Sequence, residues 1–349
     1  MILEVRRDDL RTTRAVDESP EIGDGEARLR VDRFALTANN VTYAAFGDAM
    51  RYWDFFPASD AGWGRVPVWG FADVVASNAA GLDVGERIYG YFPMGSGLVV
   101  TPDRLTPAGF VDAAAHRAAL PPVYNQYQRV APGGDRERET AILRPLFTTS
   151  FLLDDWLDED GMFGARSVIL GSASSKTALG LAFLLAQRGT VEVVGLTSPG
   201  NAGFVDGVGY YDRTVTYDDV ASLPAEVPTV FVDMAGSAPA RAAVHAHFAF
   251  SLKASCMVGA THWEDPPAAG ELAGPQPAFF FAPDRVVKRR ADWGADGFDE
   301  RVDAAWTAFL ESVDGWLQIV ERDASALADT WLEVLEGRAR PETGYVVSP

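Results

Sequence analysis

RSVILGSASSKTALGLAFLLAQRGTVEVVGLTS, residues 166–198, decides how the rest of this chain is read. SVILG is a short apolar strand. A bend of small residues follows, Gly171, Ser172, Ala173, Ser174 and Ser175, and then an apolar helical stretch over 178–188 stopped by Gly189. EVVGLT, at 192–197, is a second strand. Strand, tight turn, helix and strand make one mononucleotide-binding unit, in which the amides of the bend and the positive end of the helix face a diphosphate. Small side chains are needed because bulk in the bend would hold phosphate away from those amides. Lys176 and Thr177 add a cation and a hydroxyl donor at the same end. A strict G-x-G-x-x-G is absent, hydroxyls standing in for some of the glycines. A P-loop, suggested by Ser175-Lys176-Thr177, fails in register: Leu170 and Ser175 stand where its two glycines belong. A small-residue crossover in another α/β fold is the remaining alternative.

An enzyme that prefers NAD usually ends the second strand on Asp or Glu, which holds the ribose hydroxyls. Here that place is Thr197-Ser198, with Asn201 close behind, and neutral hydroxyls do not repel a 2′-phosphate. NADP(H) is therefore favoured over NAD(H). Further along, TVFVDM at 229–234 and SCMVGA at 255–260 read as two more strands of a parallel sheet. Ala235 and Gly236 follow the first, and Gly259, Ala260 and Thr261 lie at the end of the second, small residues where a cofactor can come close. The first third is β-rich instead, with runs at 28–37, 68–76 and 87–91 separated by Gly, Pro and Asn, as in a small antiparallel barrel. Residues 129–138 are polar and glycine-rich, a surface loop before a helix over 141–157. The expected division is 1–128 with 313–349 for the substrate half and 129–312 for the dinucleotide half. Leu327, Trp331 and Leu335, spaced by one helical turn and closed by Gly337, form a core stripe.

Composition bounds the function. A formal net charge of −19 repels phosphate backbones and anionic membranes, so nucleic acid and membrane surfaces are poor partners, and a small molecule is expected. No apolar run is long enough to span a bilayer, and the N-terminus has no apolar signal segment, so the expected location is cytoplasmic. The single Cys256 excludes an intramolecular disulfide and a cysteine-rich zinc site. The Tyr-x-x-x-Lys pair of short-chain dehydrogenases, the G-x-S-x-G elbow and H-E-x-x-H are all absent. His245 and His247 lie two apart on different helix faces, poor geometry for a shared metal, and read as surface or boundary residues.

The order of parts resembles the medium-chain dehydrogenase/reductase superfamily, on its zinc-free quinone-reductase and enoyl-reductase side, as an uncharacterised bacterial branch. The likeness rests on SVILGSASSKTALG, on VFVDMAGSA and CMVGATHWE, on 31–47 with its N-x-x-D-like segment, and on GERIYG at 85–90. It implies an α/β protein with a Rossmann-type parallel sheet domain, a GroES-like barrel-containing domain and a homodimer. The resemblance places Thr148 and Thr149 where that family keeps a pair facing nicotinamide, and Tyr124, Asn125, Gln126 and Tyr127 near its substrate cleft. Two departures matter. Gly70-Phe71-Ala72-Asp73 replaces the G-H-E of the zinc enzymes, so no zinc is expected, and the N-x-x-D aspartate is Thr42, with Tyr43 beside it.

Without zinc to stabilise an alkoxide, acceptors that delocalise charge are favoured, such as a quinone or an α,β-unsaturated carbonyl. Tyr43 is the candidate hydrogen-bond donor, with Asn39 or Asn40 positioning substrate or nicotinamide. Tyr43 as a packing residue is the equal alternative. Tyr124, Asn125, Tyr127, Phe281 in the run Phe279-Phe280-Phe281, and His262 are substrate candidates, His262 because it lies beyond a carboxyl strand end. The expected function is a zinc-independent NADP(H)-dependent oxidoreductase; the alternative is a non-catalytic NADP(H)-binding sensor.

Overall fold

The structure, a computed structural model, describes residues 1–18, 21–259 and 272–349. Its strands in chain order are β1 (Ile2–Arg6), β2 (Asp9–Val16), β3 (Ala27–Leu36), β4 (Trp63–Gly64), β5 (Pro67–Ser77), β6 (Arg87–Pro93), β7 (Gly97–Val100), β8 (Pro102–Thr106), β9 (Gly109–Asp112), β10 (Gln126–Val130), β11 (Ser167–Gly171), β12 (Glu192–Thr197), β13 (Arg213–Thr216), β14 (Thr229–Asp233), β15 (Leu252–Met257), β16 (Ala278–Phe279), β17 (Gln318–Asp323) and β18 (Thr343–Ser348). The helices are α1 (Ala38–Ala45), α2 (Glu137–Glu159), α3 (Lys176–Arg188), α4 (Ala202–Val208), α5 (Ala238–Phe248), α6 (Ala282–Ser312) and α7 (Leu327–Leu335). The chain divides into two compact units, Met1–Ile142 with Gln318–Pro349, and Leu143–Leu317.

The first unit is built on a mixed sheet in the order β17-β18-β3-β5-β6-β10-β9-β8, with β7 also on β3, and on a smaller sheet β2-β1-β4. Alternation drives β3: Ala27, Leu29 and Val31 are buried while Arg28 and Arg30 between them are not. β6 is buried along its whole length and is paired along both edges, by β5 and β10. Gly90 in β6 is required by packing, since a Cβ there would stand 2.4 Å from the Tyr127 ring. The stripe on α7 is core as expected: Leu327, Trp331 and Leu335 are buried, and Trp331 Nε1 donates to the Leu10 carbonyl at 2.9 Å.

Helix α2 begins at Glu137, inside the segment expected to be a surface loop. Its first carboxylate takes both Nε and Nη2 of buried Arg87, at 2.9 and 2.6 Å, and Arg87 also reaches Asp32 and Asp73. Local polarity concealed this, because the partner lies 50 residues away.

The second unit is a parallel sheet in the order β13-β12-β11-β14-β15-β16. Ile169, Val194, Leu196, Phe231, Val244 and Leu252 share one core between the sheet and α5. Helix α3 ends on Gly189 in the left-handed conformation, φ 61°, as the sequence requires. β15 starts at Leu252, three residues before the expected strand, because Leu252 pairs with Thr229 in the core although exposed Lys253 interrupts the apolar run. His245 is a second correction, for it is fully buried. Its Nδ1 lies 2.7 Å from the Ala273 carbonyl and its Nε2 2.8 Å from Ser255 Oγ, so two long-range partners satisfy a ring that helix position alone places at the surface. No described helix is long and apolar enough to cross a membrane.

Candidate active site

The bend of the second unit is built from strand end to helix start. Gly171 closes β11 with its Cα face against Phe231, where a Cβ would meet the ring at 3.2 Å. Ser172 then takes φ 53°, a left-handed conformation unusual for a residue with a side chain. Two hydrogen bonds hold it there: the Ser172 amide donates to Tyr217 Oη at 3.1 Å, and Ser172 Oγ lies 3.2 Å from the same oxygen. Ala173 is buried, its amide donating to the Leu196 carbonyl at 3.1 Å and its carbonyl accepting from Tyr211 Oη at 2.7 Å. Ser175 caps α3, its Oγ accepting from the Ala178 amide at 3.3 Å. Asn201 Nδ2 donates to Ser174 Oγ at 3.0 Å, so the bend and the turn after β12 are tied together. Among the described residues, no acceptor takes the amides of Ser174 and Thr177. Lys176 opens the helix beside them, and buried Thr197 and half-buried Ser198 end β12. The bend is thus a helix N-terminus with two uncommitted N–H donors, surrounded by the hydroxyls of Ser172, Ser174 and Tyr217.

The other residues offered to a cofactor are placed differently. The amides of Ala235 and Gly236 donate to Asp233 Oδ1, at 3.3 and 2.9 Å, and Asp233 also pairs with Arg241 at 2.8 Å. Burial raises the Asp233 carboxyl, and Arg241 and these amides work against that rise. Thr148 and Thr149 turn their hydroxyls onto their own helix, to the carbonyls of Arg144 and Pro145. Gly259 lies past the end of β15, and Phe281 precedes α6, half-buried, with Phe280 more deeply buried beside it. Ala260, Thr261 and His262 lie outside the described residues.

In the first unit, the residues expected to do chemistry gather on α1 and after it. Asn40 anchors the helix: its Oδ1 accepts from the Thr37 amide at 2.7 Å and its Nδ2 donates to the Pro67 carbonyl at 2.8 Å. One turn on, Tyr43 enters a cluster of tyrosines, with ring centroids 4.7 Å from Tyr52, 5.6 Å from Tyr91 and 6.2 Å from Tyr124. Trp69 Nε1 donates to Tyr43 Oη at 3.3 Å, and the hydroxyls of Tyr52 and Tyr124 are 3.4 Å apart. Burial pushes the Tyr43 phenol upward, and the Trp69 hydrogen bond and nearby half-buried Asn39 work against that rise. Burial also raises Tyr52, Tyr91 and Tyr124. These phenols are held neutral, suited to donating a hydrogen bond or a proton and unsuited to acting as bases.

Tyr43 and Tyr124 are therefore brought together, whereas Asn125 and Tyr127 stand behind them as supports. Tyr127 Oη donates to the Tyr91 carbonyl at 2.6 Å and accepts from Arg117 Nη1 at 3.1 Å, and Asn125 Nδ2 donates to the Arg117 carbonyl at 3.3 Å. Tyr52, Tyr91 and Trp69 went unnoticed in the sequence. The aromatic run YWDFF at 52–56 was the available signal for the first of them, while Trp69 and Tyr91 face each other only through the β5–β6 register. In the second unit Tyr217 and Tyr211 were missed, since nothing local marks a tyrosine 45 residues from the bend it caps. Among the described residues, no three His, Cys, Asp or Glu side chains are grouped so as to hold a metal ion.

Solved structures share this architecture along nearly their full length. CurA from Vibrio vulnificus in complex with NADPH matches with a TM-score of 0.63 at 13% identity, over 97% of this chain and 93% of that one. A quinone oxidoreductase of Pseudomonas syringae pv. Tomato DC3000 matches with 0.60 at 16%, over 100% and 99%. The yhdH oxidoreductase of Salmonella enterica in complex with NADP matches with 0.55 at 15%, over 97% and 95%. The fold is that of the medium-chain dehydrogenases/reductases, a Rossmann-type parallel sheet with a GroES-like unit. Within it, residues 34–340 match the family described as "Protein of unknown function (DUF2855)", and the chain belongs to that family. No curated protein sequence matches the chain.

Proposed function

We propose that this protein is a zinc-independent, NADP(H)-dependent reductase of activated acceptors, of the quinone or α,β-unsaturated carbonyl type. The observation that carries this is the bend at 171–177, where the Ser174 and Thr177 amides at the start of α3 have no protein acceptor and Ser172, Ser174 and Tyr217 supply hydroxyls around them. That donor set suits a diphosphate, and the neutral Thr197, Ser198 and Asn201 suit a phosphorylated ribose better than they suit bare hydroxyls. Solved proteins of the same fold have been seen in complex with NADPH or NADP, which supports the choice of cofactor.

Bound there, the dinucleotide supplies hydride. The chain's own part is to hold it through the bend and to stabilise the negative charge that develops on the acceptor oxygen. Tyr43 is the donor in this proposal, neutral because it is buried and oriented by Trp69. Asn40 positions α1, Asn39 opposes the burial-driven rise of the phenol, and Asn125 and Tyr127 hold the Tyr91–Tyr124 wall through Arg117. A homodimer through the edge of the parallel sheet belongs to the same proposal.

The test is direct. Purified protein is titrated with NADPH while nicotinamide fluorescence is followed, and absorbance loss is then recorded with a quinone and an enone panel. Saturable binding with consumption by at least one acceptor class is expected. Binding with no consumption across the panel would turn the assignment to a dinucleotide sensor, and no binding would end both.

A further inference from the structure

The bend after β11 turns on a residue that is not glycine. Ser172 takes φ 53° although it carries a Cβ, a conformation that is costly for a residue with a side chain and open to glycine at no steric cost. Three consecutive residues of the bend are each held by a side chain from one downstream stretch, 201–217. Tyr217 Oη accepts from the Ser172 amide at 3.1 Å and lies 3.2 Å from Ser172 Oγ, Tyr211 Oη donates to the Ala173 carbonyl at 2.7 Å, and Asn201 Nδ2 donates to Ser174 Oγ at 3.0 Å. Gly195 in β12 gives this grip its room, since a Cβ there would stand 3.0 Å from the Tyr211 ring and 3.1 Å from Ala173 Cβ.

The three contacts are not equivalent. Ala173 and Ser174 do not have positive φ, so Tyr211 and Asn201 support ordinary backbone. Tyr217 bonds to the residue in the left-handed region, and it does so through both the amide and the hydroxyl. The consequence extends along the bend, because the Ser172 carbonyl accepts from the amide of Ser175, the N-cap of α3, at 2.8 Å. The amides of Ser172, Ala173 and Ser175 are thereby committed to Tyr217, Leu196 and Ser172, and those of Ser174 and Thr177 are left without a protein acceptor.

We propose that Tyr217 is a positioning residue for the dinucleotide. Its hydroxyl does for Ser172 what the freedom of glycine does in other bends, and so fixes the shape that keeps the Ser174 and Thr177 amides available. The effect on NADPH rests on the function proposed above, whereas the effect on the conformation of the bend does not. Tyr217 acts through Ser172, so a glycine at 172 should make the tyrosine hydroxyl dispensable.

Four full-length chains test this by NADPH fluorescence titration and thermal unfolding: the natural sequence, Tyr217→Phe, Tyr217→Phe with Ser172→Gly, and Tyr217→Phe with Ser172→Ala. Tyr217→Phe keeps the ring and should weaken NADPH about tenfold and lower the thermal midpoint by about 2–4 °C. Adding Ser172→Gly should restore most of both, because glycine takes φ 53° unaided. Adding Ser172→Ala should restore neither, because alanine loses the same hydroxyl but keeps a Cβ. Unchanged affinity and midpoint in Tyr217→Phe, no recovery with glycine, or equal recovery with alanine would each overturn the proposal. If the natural chain binds no NADPH, the reductase reading falls and the cofactor role of Tyr217 falls with it, while the midpoints of the same four chains still decide whether Tyr217 holds the bend.

Discussion

The bend of the parallel-sheet unit and the tyrosine cluster of the barrel unit both present hydroxyls, but in opposite surroundings. In the bend, Ser172, Ser174 and Ser175 are half-buried, with Ser175 Oγ on the Ala178 amide and the hydroxyls of Ser172 and Ser174 against Tyr217 and Asn201, and they do work that glycines often do: they keep the turn narrow. In the cluster, Tyr43, Tyr52, Tyr91 and Tyr124 are all at most 8% exposed, ring against ring, and a hydroxyl there is set by what surrounds it and not by its own helix. In the proposed function, one region binds through backbone geometry that a short sequence can encode, and the other tunes a proton through a low-dielectric environment that many segments build together.

The sharpest way to break this contrast is Tyr43→Phe, which keeps the ring and removes the oxygen that accepts from Trp69. Turnover of the preferred acceptor should fall about a hundredfold while NADPH affinity stays within error, because only the donor is lost. Unchanged turnover would remove Tyr43 from the mechanism and leave it a packing residue.

Ser174→Glu makes the complementary change. A carboxylate at the start of α3 suits the helix dipole, so the thermal midpoint should hold or rise slightly. It also sets a negative charge beside the amides proposed to receive the diphosphate, and NADPH affinity should drop about thirtyfold, or ~2 kcal/mol. Equal affinity in a fluorescence titration would move the diphosphate away from this bend.

The smallest expected effect is on stability across pH, and the two units should fail at opposite ends. All four clustered phenols are raised by burial, so the folded chain keeps protons that the unfolded chain releases near pH 10. Their contribution is intact below about pH 10 and is lost as pH rises further. In the other unit Glu159 is drawn down to about 2 by Lys288 and Arg285, so its contribution is present above the ordinary carboxylate range and is lost as pH falls through it. Being exposed, Glu159 adds little. Denaturant midpoints followed by tyrosine absorbance at pH 8 and 11 check the alkaline limb, and a flat profile would contradict the burial of the phenols.

Much of the fold was legible. Small residues at 171–175 between an apolar strand and an apolar helix define a strand–turn–helix wherever they occur, and Gly189 and Gly337 mark helix ends by their freedom to take positive φ. The site was legible in part. Tyr43 and Tyr124 could be singled out by proximity to family-like segments, but their meeting with Tyr52 and Tyr91 could not, nor could the diversion of the Ala235 and Gly236 amides to Asp233. His245 shows the same limit, since its burial depends on Ser255 and Ala273.

Periodicity, turn chemistry and charge act over a few residues, and from them the sequence alone established two kinds of architecture in one chain, a small-residue bend between strand and helix, and a net charge of −19. Tertiary structure alone decided which hydroxyls are neutral donors and which amides remain free. Those properties depend on desolvation and on partners tens of residues apart, and neither is written in the order of neighbouring side chains.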